Sequence, residues 1–323
     1  DEGKEGDLLD ILKDNGVNYI RLRLWNDPYS EDGKPYGAGT NDLETLICLA
    51  KRVLDHDMGF LLDFHYSDFW TDPGKQYMPK AWRGLDIDKL SKALYDYTKD
   101  VLIALKDNDC LPTMIQVGNE MTNGLLWPVA EYSNFENIIK LVNSGIKACK
   151  EIVDDAQIML HLDCGGNNEK CVEWFDNWQN GGGMDYDVIG LSYYPFWQGG
   201  VDKLDFNMKD LAKRYGKKIN VVELGMGFTV EDYADKEGLT PSERKGMAAT
   251  AERAESVDYP MTIDGQCDFI RDVLNSIKSI DNNLGQGFFY WETAWIPVKG
   301  SGWATKESLE DIKIGRASCR ERV

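Results

Sequence analysis

Residues 113–123 read TMIQVGNEMTN, a short apolar run that ends in a polar turn. The run over 113–117 predicts a buried strand. It is followed by Gly118, Asn119 and Glu120, so a carboxylate stands at the carboxyl end of that strand. In a barrel of alternating strands and helices, active sites lie at this edge. The alternative is a surface acid that starts a helix or forms a salt bridge, and the stretch alone leaves both interpretations open.

Strands and helices alternate along the rest of the chain. Apolar or alternating runs predict seven strands, at 18–25, 59–66, 113–119, 158–164, 187–194, 219–225 and 285–292. Helical spacing predicts helices at 7–15, 42–56, 86–107, 131–153, 168–179, 202–215 and 265–280. This alternation indicates a parallel sheet. A doubly wound sheet is the alternative, but no strand is followed by a glycine-rich phosphate turn. We therefore predict an α/β fold, a (β/α)8 TIM barrel that has lost one strand.

Both ends of the sequence fit a truncated barrel. The chain begins just before its first helix, where the first strand of a barrel would stand. At the other end, residues 314–323 read IGRASCRERV and resemble the translation of a sequencing adapter. An ordinary basic tail is the alternative. We predict a single barrel domain over residues 1–312, truncated at both ends, and a non-native tail over residues 313–323.

The composition excludes several classes of partner. The 323-residue chain has a formal net charge of −19, which disfavours nucleic acid and anionic lipid and suits a neutral substrate. It has 10 Trp and 15 Tyr, several of them beside Gly, Pro and Asp. Such aromatic side chains often stack on sugar rings, although core packing is the default for any one of them.

Metal, disulfide and membrane signals are weak in the sequence. The seven cysteines are scattered without a CxxC pair, so neither a disulfide framework nor a zinc site is predicted. Three histidines and no HExxH pattern give no metal motif. No run has the length and apolarity of a membrane helix. A signal peptide is not present, but the chain lacks an initiator Met, so this says nothing about localisation.

A second strand also ends in a glutamate. Val221, Glu223 and Gly225 share one face of the predicted strand at 219–225 because side chains alternate along a strand. Glu223 and Glu120 therefore stand at the carboxyl ends of two strands. Two facing carboxylates hydrolyse glycosidic bonds, one as the proton donor and the other as nucleophile or base. The alternative is that each pairs with a barrel arginine.

Arginines on the first predicted strand fit this arrangement. Arg21 and Arg23 share a face with Trp25. A buried arginine needs a carboxylate partner, since an unpaired buried charge is costly. An arginine beside Glu223 would keep that carboxylate ionised, as a nucleophile must be.

Other polar residues lie at neighbouring strand ends. Asp63 and His65 share a face, and we predict a hydrogen-bonding role for them over a metal site, because only His161 remains as a further histidine ligand. Tyr193 or Tyr194 would donate a hydrogen bond to Glu223. Trp291 ends the last strand, where an indole ring would form the floor of a sugar subsite.

Six sequence blocks together resemble a known family. They are GVNYIRLRLWNDP, LLDFHYSDFWTDPGKQ followed by PKAW, QVGNEMTNGLLWP, LSYYPFW, VVELG and YWETAW, in this order over roughly residues 5–305. The chain resembles the endo-β-1,4-galactanases of glycoside hydrolase family 53. QVGNE is shared with the wider group of barrel glycosidases, whereas the DFHYSDFWTDPGKQ and YWETAW blocks are more specific.

The resemblance implies a retaining enzyme that cleaves β-1,4-galactan, the side chain of type I arabinogalactan in pectin. Glu120 matches the acid/base and Glu223 the nucleophile, with carboxyl groups about 5–5.5 Å apart. The implied substrate-binding residues are Arg21, Arg23, Asp63, His65, Asp68, Trp70, Trp82, Asn119, Trp127, Tyr193, Tyr194, Trp197 and Trp291. Asn119 would bind the sugar 2-hydroxyl. The alternatives are another barrel β-glycanase acting on mannan, xylan or glucan, and a non-catalytic galactan-binding homologue.

The resemblance also sets expectations for cofactors, partners and ends. It implies no required cofactor and no catalytic metal, a monomeric secreted protein, and neither a nucleic-acid nor a membrane partner. The resemblance also implies a structural calcium ion, which some bacterial members look to bind between late loops. In that region this chain has Glu231, Asp232, Asp235 and Asp264, and solvated acidic residues are the alternative. The family's first strand and last helix have no counterpart in this sequence.

Overall fold

The structure is a computed structural model that describes residues 6–37, 39–230 and 251–291. Seven strands form one sheet in the order β1-β2-β3-β6-β7-β8-β9, and β4 pairs with β5 in a small antiparallel hairpin. The strands are β1 (Tyr19–Leu24), β2 (Gly59–Phe64), β3 (Met114–Val117), β4 (Gly124–Leu125), β5 (Ala130–Glu131), β6 (Gln157–Leu162), β7 (Val188–Tyr193), β8 (Lys218–Leu224) and β9 (Gly285–Tyr290). Each of the pairs β1–β2, β2–β3, β3–β6 and β8–β9 is parallel. All seven predicted strands are present, and the predicted parallel sheet is confirmed.

Helices separate the strands of the large sheet along the chain. They are α1 (Leu8–Asp14), α2 (Leu43–Asp55), α3 (Ile87–Asp107), α4 (Phe135–Ile152), α5 (Asn168–Asn180), α6 (Pro195–Gln198), α7 (Val201–Tyr215), α8 (Ala251–Ala254) and α9 (Ile263–Lys278). The predicted helix at 131–153 starts later, at Phe135, because β5 and a short 3-10 turn occupy residues 130–134. The sequence patterns did not predict the hairpin or α6, both of which are too short for a periodic signal.

Side chains just outside several helices explain where those helices begin. The carboxylates of Asp7, Asp42 and Asp86 accept hydrogen bonds from free backbone N–H groups in the first turns of α1, α2 and α3, at 2.8–2.9 Å. Thr262 caps α9 in the same way at 3.1 Å. Each cap satisfies an N–H that has no partner within the helix, so the helix starts at a defined residue.

The described residues form two compact units. The first comprises residues 6–29, 39–161 and 174–188, and the second comprises residues 30–37, 162–173, 189–230 and 251–291. In the first, β2 and β3 are buried over almost their whole length and α3 packs along α4. Helix α4 lies close to β3 at Gly145, where a Cβ would lie only 2.7 Å from Val117 Cγ1. In the second, β7 and β8 are buried and α7 packs against α9.

Predictions about the chain ends concern residues outside the described ranges. The predicted loss of the first strand and the last helix stays a prediction, as do the non-native tail over residues 313–323 and the single domain over residues 1–312. Among the described residues, no helix combines the length and apolarity that crossing a bilayer requires.

Candidate active site

Glu120 follows β3 with an unusual backbone conformation. It has φ 48° and ψ 51°, in the left-handed region, and its residue is only 7 % exposed. A non-glycine residue costs free energy in this region and stays there only where its surroundings hold it. The preceding Gly118 also has positive φ, at +89°, and a Cβ there would lie 2.2 Å from Met121 Sδ. The sharp turn after β3 therefore restricts the position of the Glu120 backbone, from which the carboxylate side chain extends.

Buried polar groups hold the backbone of Glu120 on both sides. His161 Nδ1 accepts a hydrogen bond from the Glu120 N–H at 3.3 Å. Gln76, 1 % exposed, donates from Nε2 to the carbonyl oxygens of Asn119 and Glu120, at 2.8 and 3.3 Å. These contacts stabilise the left-handed residue and restrict the position of its side chain. Sequence reasoning missed both His161 and Gln76 in this role.

Asp63 is the centre of a buried charge network in the same unit. Its carboxylate contacts Arg21 Nη2 at 2.9 Å, His65 Nε2 at 2.9 Å and Gln116 Nε2 at 2.6 Å. Burial acts to raise the pKa of Asp63, but the positive charge of Arg21 and the hydrogen bond from His65 outweigh it, and the pKa lies below its usual value. Asp63 is therefore an anion that compensates Arg21. The predicted hydrogen-bonding pair of Asp63 and His65 has this geometry.

The tautomer of His65 follows from its neighbours. Thr71 N–H donates to His65 Nδ1 at 3.0 Å, so Nδ1 is an acceptor and Nε2 carries the hydrogen that is donated to Asp63. Both ring nitrogens of His65 are thereby used in protein hydrogen bonds. This arrangement suits a positioning role better than metal ligation.

Asn119 is oriented by the same network. Its Oδ1 accepts from Arg21 Nη2 at 2.8 Å and from Gln116 Nε2 at 3.1 Å, while its Nδ2 donates to Thr71 O at 2.9 Å. Because Nδ2 has two hydrogens, one stays available to a sugar hydroxyl. Asn119 is 2 % exposed, so it presents that hydrogen from a fixed position.

His161 places a neutral imidazole ring beside the Glu120 carboxylate. A ring nitrogen of His161 and a carboxylate oxygen of Glu120 lie within 4.8 Å of each other. Burial, reinforced by the positive charge of Arg21, holds the pKa of His161 well below its usual value, so the ring is neutral. The sequence contained one signal for this role, a histidine within the predicted strand at 158–164.

Glu223 lies in the second unit, next to last in β8. It is 5 % exposed, and Tyr194 donates its hydroxyl to Glu223 Oε2 at 3.0 Å. The sequence left Tyr193 and Tyr194 as alternatives for this donor. Tyr193 instead donates to Gly199 O at 2.6 Å and stacks on Phe269, because successive side chains at the end of β7 point to opposite faces.

The remaining predicted residues of the first unit occupy different environments. Trp70 lies between two cations, with Arg23 at 5.8 Å and Lys75 at 5.3 Å from its ring centroid. Asp68 accepts from the backbone N–H groups of residues 27 and 80, and burial raises its pKa, so it anchors two loops. Trp82 packs in a buried aromatic cluster with Tyr66 and Tyr97. Trp127 is half-buried and donates its indole N–H to Asn123 O.

Two predicted tryptophans belong to the second unit. Trp197 on α6 is 44 % exposed, with Arg253 lying 4.9 Å from its ring centroid and Tyr194 against its edge. Trp291 follows β9, is 8 % exposed and donates its backbone N–H to Leu224 O. Sugar contact by these rings stays a prediction. So does the separation of the Glu120 and Glu223 carboxyl groups.

The predicted calcium residues are mostly outside the described chain. Glu231, Asp232 and Asp235 lie in residues that the structure does not describe. Asp264 stands in the first turn of α9, where an acidic side chain complements the helix dipole. Calcium binding stays a prediction.

A parallel sheet with helices between its strands, together with two strand-end glutamates, is the arrangement found in (β/α)8-barrel glycoside hydrolases. Within that class, the chain belongs to glycosyl hydrolase family 53, whose profile matches residues 1–317. The family predicted from the sequence blocks is thus confirmed.

Relatives agree with this assignment in sequence and in structure. The chain is 36% identical to an endo-β-1,4-galactanase of Bacillus subtilis, with 95% of this chain and 72% of that protein covered. A solved Ignisphaera aggregans family 53 catalytic domain is 38% identical and has a TM-score of 0.87, with 94% of this chain and 82% of that chain covered. A fungal β-1,4-galactanase structure is 34% identical with a TM-score of 0.77, covering 91% and 83%. These matches confirm the barrel fold class.

Proposed function

We propose that the chain is a retaining endo-β-1,4-galactanase in which Glu223 is the nucleophile and Glu120 the acid/base. The observation that carries the proposal is the pair of buried strand-end glutamates, each held by its own polar partners, in a chain of family 53. Relatives named as β-1,4-galactanases support the substrate class.

The reaction has two steps. A carboxylate oxygen of Glu223 attacks the anomeric carbon while Glu120 gives its proton to the departing glycosidic oxygen, so a glycosyl ester forms and the sugar–sugar bond breaks. Glu120, now ionised, takes a proton from water. The resulting hydroxide attacks the anomeric carbon and displaces Glu223 as a carboxylate.

The surrounding residues have separate tasks in this scheme. The Tyr194 hydroxyl positions Glu223 for attack. Asn119 binds the sugar 2-hydroxyl through its remaining Nδ2 hydrogen, an interaction that strengthens as charge develops in the transition state. The Asp63 network holds Asn119 in place. Nothing in the scheme needs a cofactor.

The biological setting follows from the substrate. Galactan is a plant polysaccharide too large to enter a cell, so the enzyme acts outside the cell that makes it. We infer that it works as a monomer on galactan side chains of pectin.

Two variants test the catalytic assignment. Glu223→Gln removes the nucleophile, and we expect activity on β-1,4-galactan to fall by at least about 10³-fold. Glu120→Gln removes the proton donor, and we expect it to retain far more glycosyl-enzyme formation on an aryl β-galactoside, whose leaving group needs no protonation. The exposed Glu169→Gln is the matched control and keeps wild-type activity.

The anomeric configuration of the first product distinguishes a retaining from an inverting mechanism, and a panel of polysaccharides tests the substrate. NMR of the first product should show the β-anomer, because two inversions restore the starting configuration. Full activity of Glu223→Gln, or an α-anomeric product, would contradict the proposal. A panel of mannan, xylan and β-glucan tests the other glycanases, and galactan binding without release of reducing ends would identify a non-catalytic homologue.

A further inference from the structure

Two cysteines lie side by side in the second unit. Cys164 lies two residues after the end of β6, and Cys171 is in the first turn of α5. Their Sγ atoms are 2.8 Å apart, and the residues are 5 % and 0 % exposed. The strand-to-helix loop between them folds back on itself, which brings together two residues that are seven apart in the sequence. The spacing of this pair matches no cysteine motif, so the pair was not predicted from the sequence.

The separation of the two sulfur atoms is close to that of a bond. A disulfide has an S–S distance of about 2.05 Å, so a movement of less than about 1 Å joins them. Cys171 belongs to the first turn of α5, and Cys164 lies within two residues of the end of β6, so both cysteines are close to regular elements.

Asn207 fixes the loop that carries Cys164. This residue of α7 is completely buried, and its Nδ2 donates to Gly165 O at 2.8 Å and to Cys164 O at 3.4 Å. The Cys171 thiol also donates to Cys164 O, at 3.2 Å. If the thiol hydrogen is lost, the Cys164 carbonyl keeps Asn207 as a partner, so oxidation leaves no buried acceptor unsatisfied.

We propose that Cys164 and Cys171 form a disulfide when the chain folds in an oxidising environment. The oxidant is a low-molecular-weight disulfide such as oxidised glutathione. One cysteine thiolate attacks it, forming a mixed disulfide and releasing one glutathione thiolate. The second cysteine then attacks the mixed disulfide, the protein S–S bond forms, and the second glutathione leaves. Two protein thiols are oxidised, and one glutathione disulfide is reduced to two thiols.

The bond fastens the loop after β6 to the start of α5. It closes a short loop, so it restricts the unfolded chain moderately. Other cysteines give a contrast within the same chain, since Cys48 and Cys267 are exposed, and Cys149 is buried with a pKa that burial raises. The buried Cys149 thiol should remain reduced under the same conditions, whereas the exposed thiols of Cys48 and Cys267 are accessible to glutathione.

The sequence offers a direct test, because Lys170 lies between the two cysteines. Trypsin cleaves after Lys150, Lys170 and Lys203, giving one peptide over residues 151–170 with Cys164 alone and another over residues 171–203 with Cys171 alone. The chain is refolded in a glutathione redox buffer, alkylated in denaturant without reduction, digested and analysed by mass spectrometry. We expect the two peptides to be linked and to separate on reduction.

Variants and thermal unfolding complete the test. Cys171→Ala should release the 151–170 peptide in alkylated form, and the exposed Cys267→Ser should leave the link intact. The oxidised wild-type chain should unfold about 5 °C higher than the reduced chain. Alkylation of both Cys164 and Cys171 in the refolded wild-type chain would overturn the proposal, as would a link from either of them to another cysteine.

Discussion

Asp63 shows at the residue scale how one buried charge organises the first half of the candidate site. It has contacts with Arg21, His65 and Gln116 while being completely buried. Burial of each charge is unfavourable on its own, and only the full set of partners makes it tolerable. Removing a single member of the network therefore lowers the free energy of unfolding by more than the Arg21–Asp63 ion pair contributes to it.

Asp63→Asn tests this directly. The variant removes the carboxylate charge that Arg21 Nη2 contacts at 2.9 Å in a buried network, so we expect the free energy of unfolding to fall by about 3 kcal/mol. Urea denaturation at pH 7 measures it. The control is Asp205→Asn, which breaks a partly exposed i,i+4 pair with Lys209 and should cost less than about 1 kcal/mol.

The pH dependence of the same variant has a definite sign. The pKa of Asp63 is lower in the folded chain than in the unfolded chain, where it is about 3.9. Its stabilisation is therefore present above that pH and is lost as the pH falls through the folded value. The difference between wild type and Asp63→Asn should shrink below about pH 4. A difference that is unchanged at low pH would contradict the assignment.

Tyr194→Phe tests the hydrogen bond to Glu223. A hydroxyl bonded to a carboxylate is worth about 1.5–3 kcal/mol, so kcat/KM on galactan should fall by about 10- to 100-fold. The control is Tyr215→Phe in the same unit, whose hydroxyl donates to a backbone carbonyl, that of Val172. That change should leave kcat/KM within about twofold of wild type. Equal losses in the two variants would remove Tyr194 from the catalytic scheme.

At the element scale, the turn after β3 places Glu120. The strand ends at Val117, and the chain reverses through two positive-φ residues before the next 3-10 turn. The turn leaves no space for a side chain at Gly118, since Met121 Sδ occupies the place where a Cβ would be. The turn thus restricts the direction in which the Glu120 side chain leaves the backbone.

Gly118→Ala tests the turn against a matched glycine. The added Cβ meets both an unfavourable φ and the Met121 side chain, so stability should fall by about 2–4 kcal/mol and kcat should fall with it. Gly16→Ala has nearly the same φ, +90°, but nothing lies within 4 Å of its Cβ. It should cost about 1 kcal/mol with no change in kcat. If both variants behave alike, crowding by Met121 has no role.

At the scale of the whole molecule, the net charge of −19 determines the long-range electrostatic interaction of the enzyme with charged polysaccharides. A neutral galactan has no long-range interaction with that charge, whereas a galactan fragment that keeps acidic galacturonate residues is repelled. The repulsion acts over a Debye length and is screened by salt.

Salt dependence measures this effect. Between about 20 and 300 mM salt, kcat/KM on neutral galactan should change less than about twofold. With the acidic fragment, KM should fall as salt rises. A strong salt dependence on neutral galactan would indicate that charge on the protein contributes to binding the neutral substrate.

The sequence predicted the fold and both glutamates because each leaves a local pattern. Strand and helix periods differ, so alternation can be counted, and a glutamate at the end of an apolar run such as 113–117 stands out. Contacts across the fold leave no such pattern, and for that reason Gln76 and His161 were missed.

The amino-acid sequence therefore predicted the seven strands, the helices between them and the family, which are confirmed, and the two candidate catalytic carboxylates, which stay a prediction. All of these depend on short-range periodicity or contiguous blocks. The choice of Tyr194 over Tyr193, the pairing of Arg21 with Asp63, the neutral state of His161 and the meeting of Cys164 with Cys171 came from the folded structure. Each depends on burial or on atoms brought together by packing. Those quantities do not exist in the unfolded chain, and no local spacing encodes them.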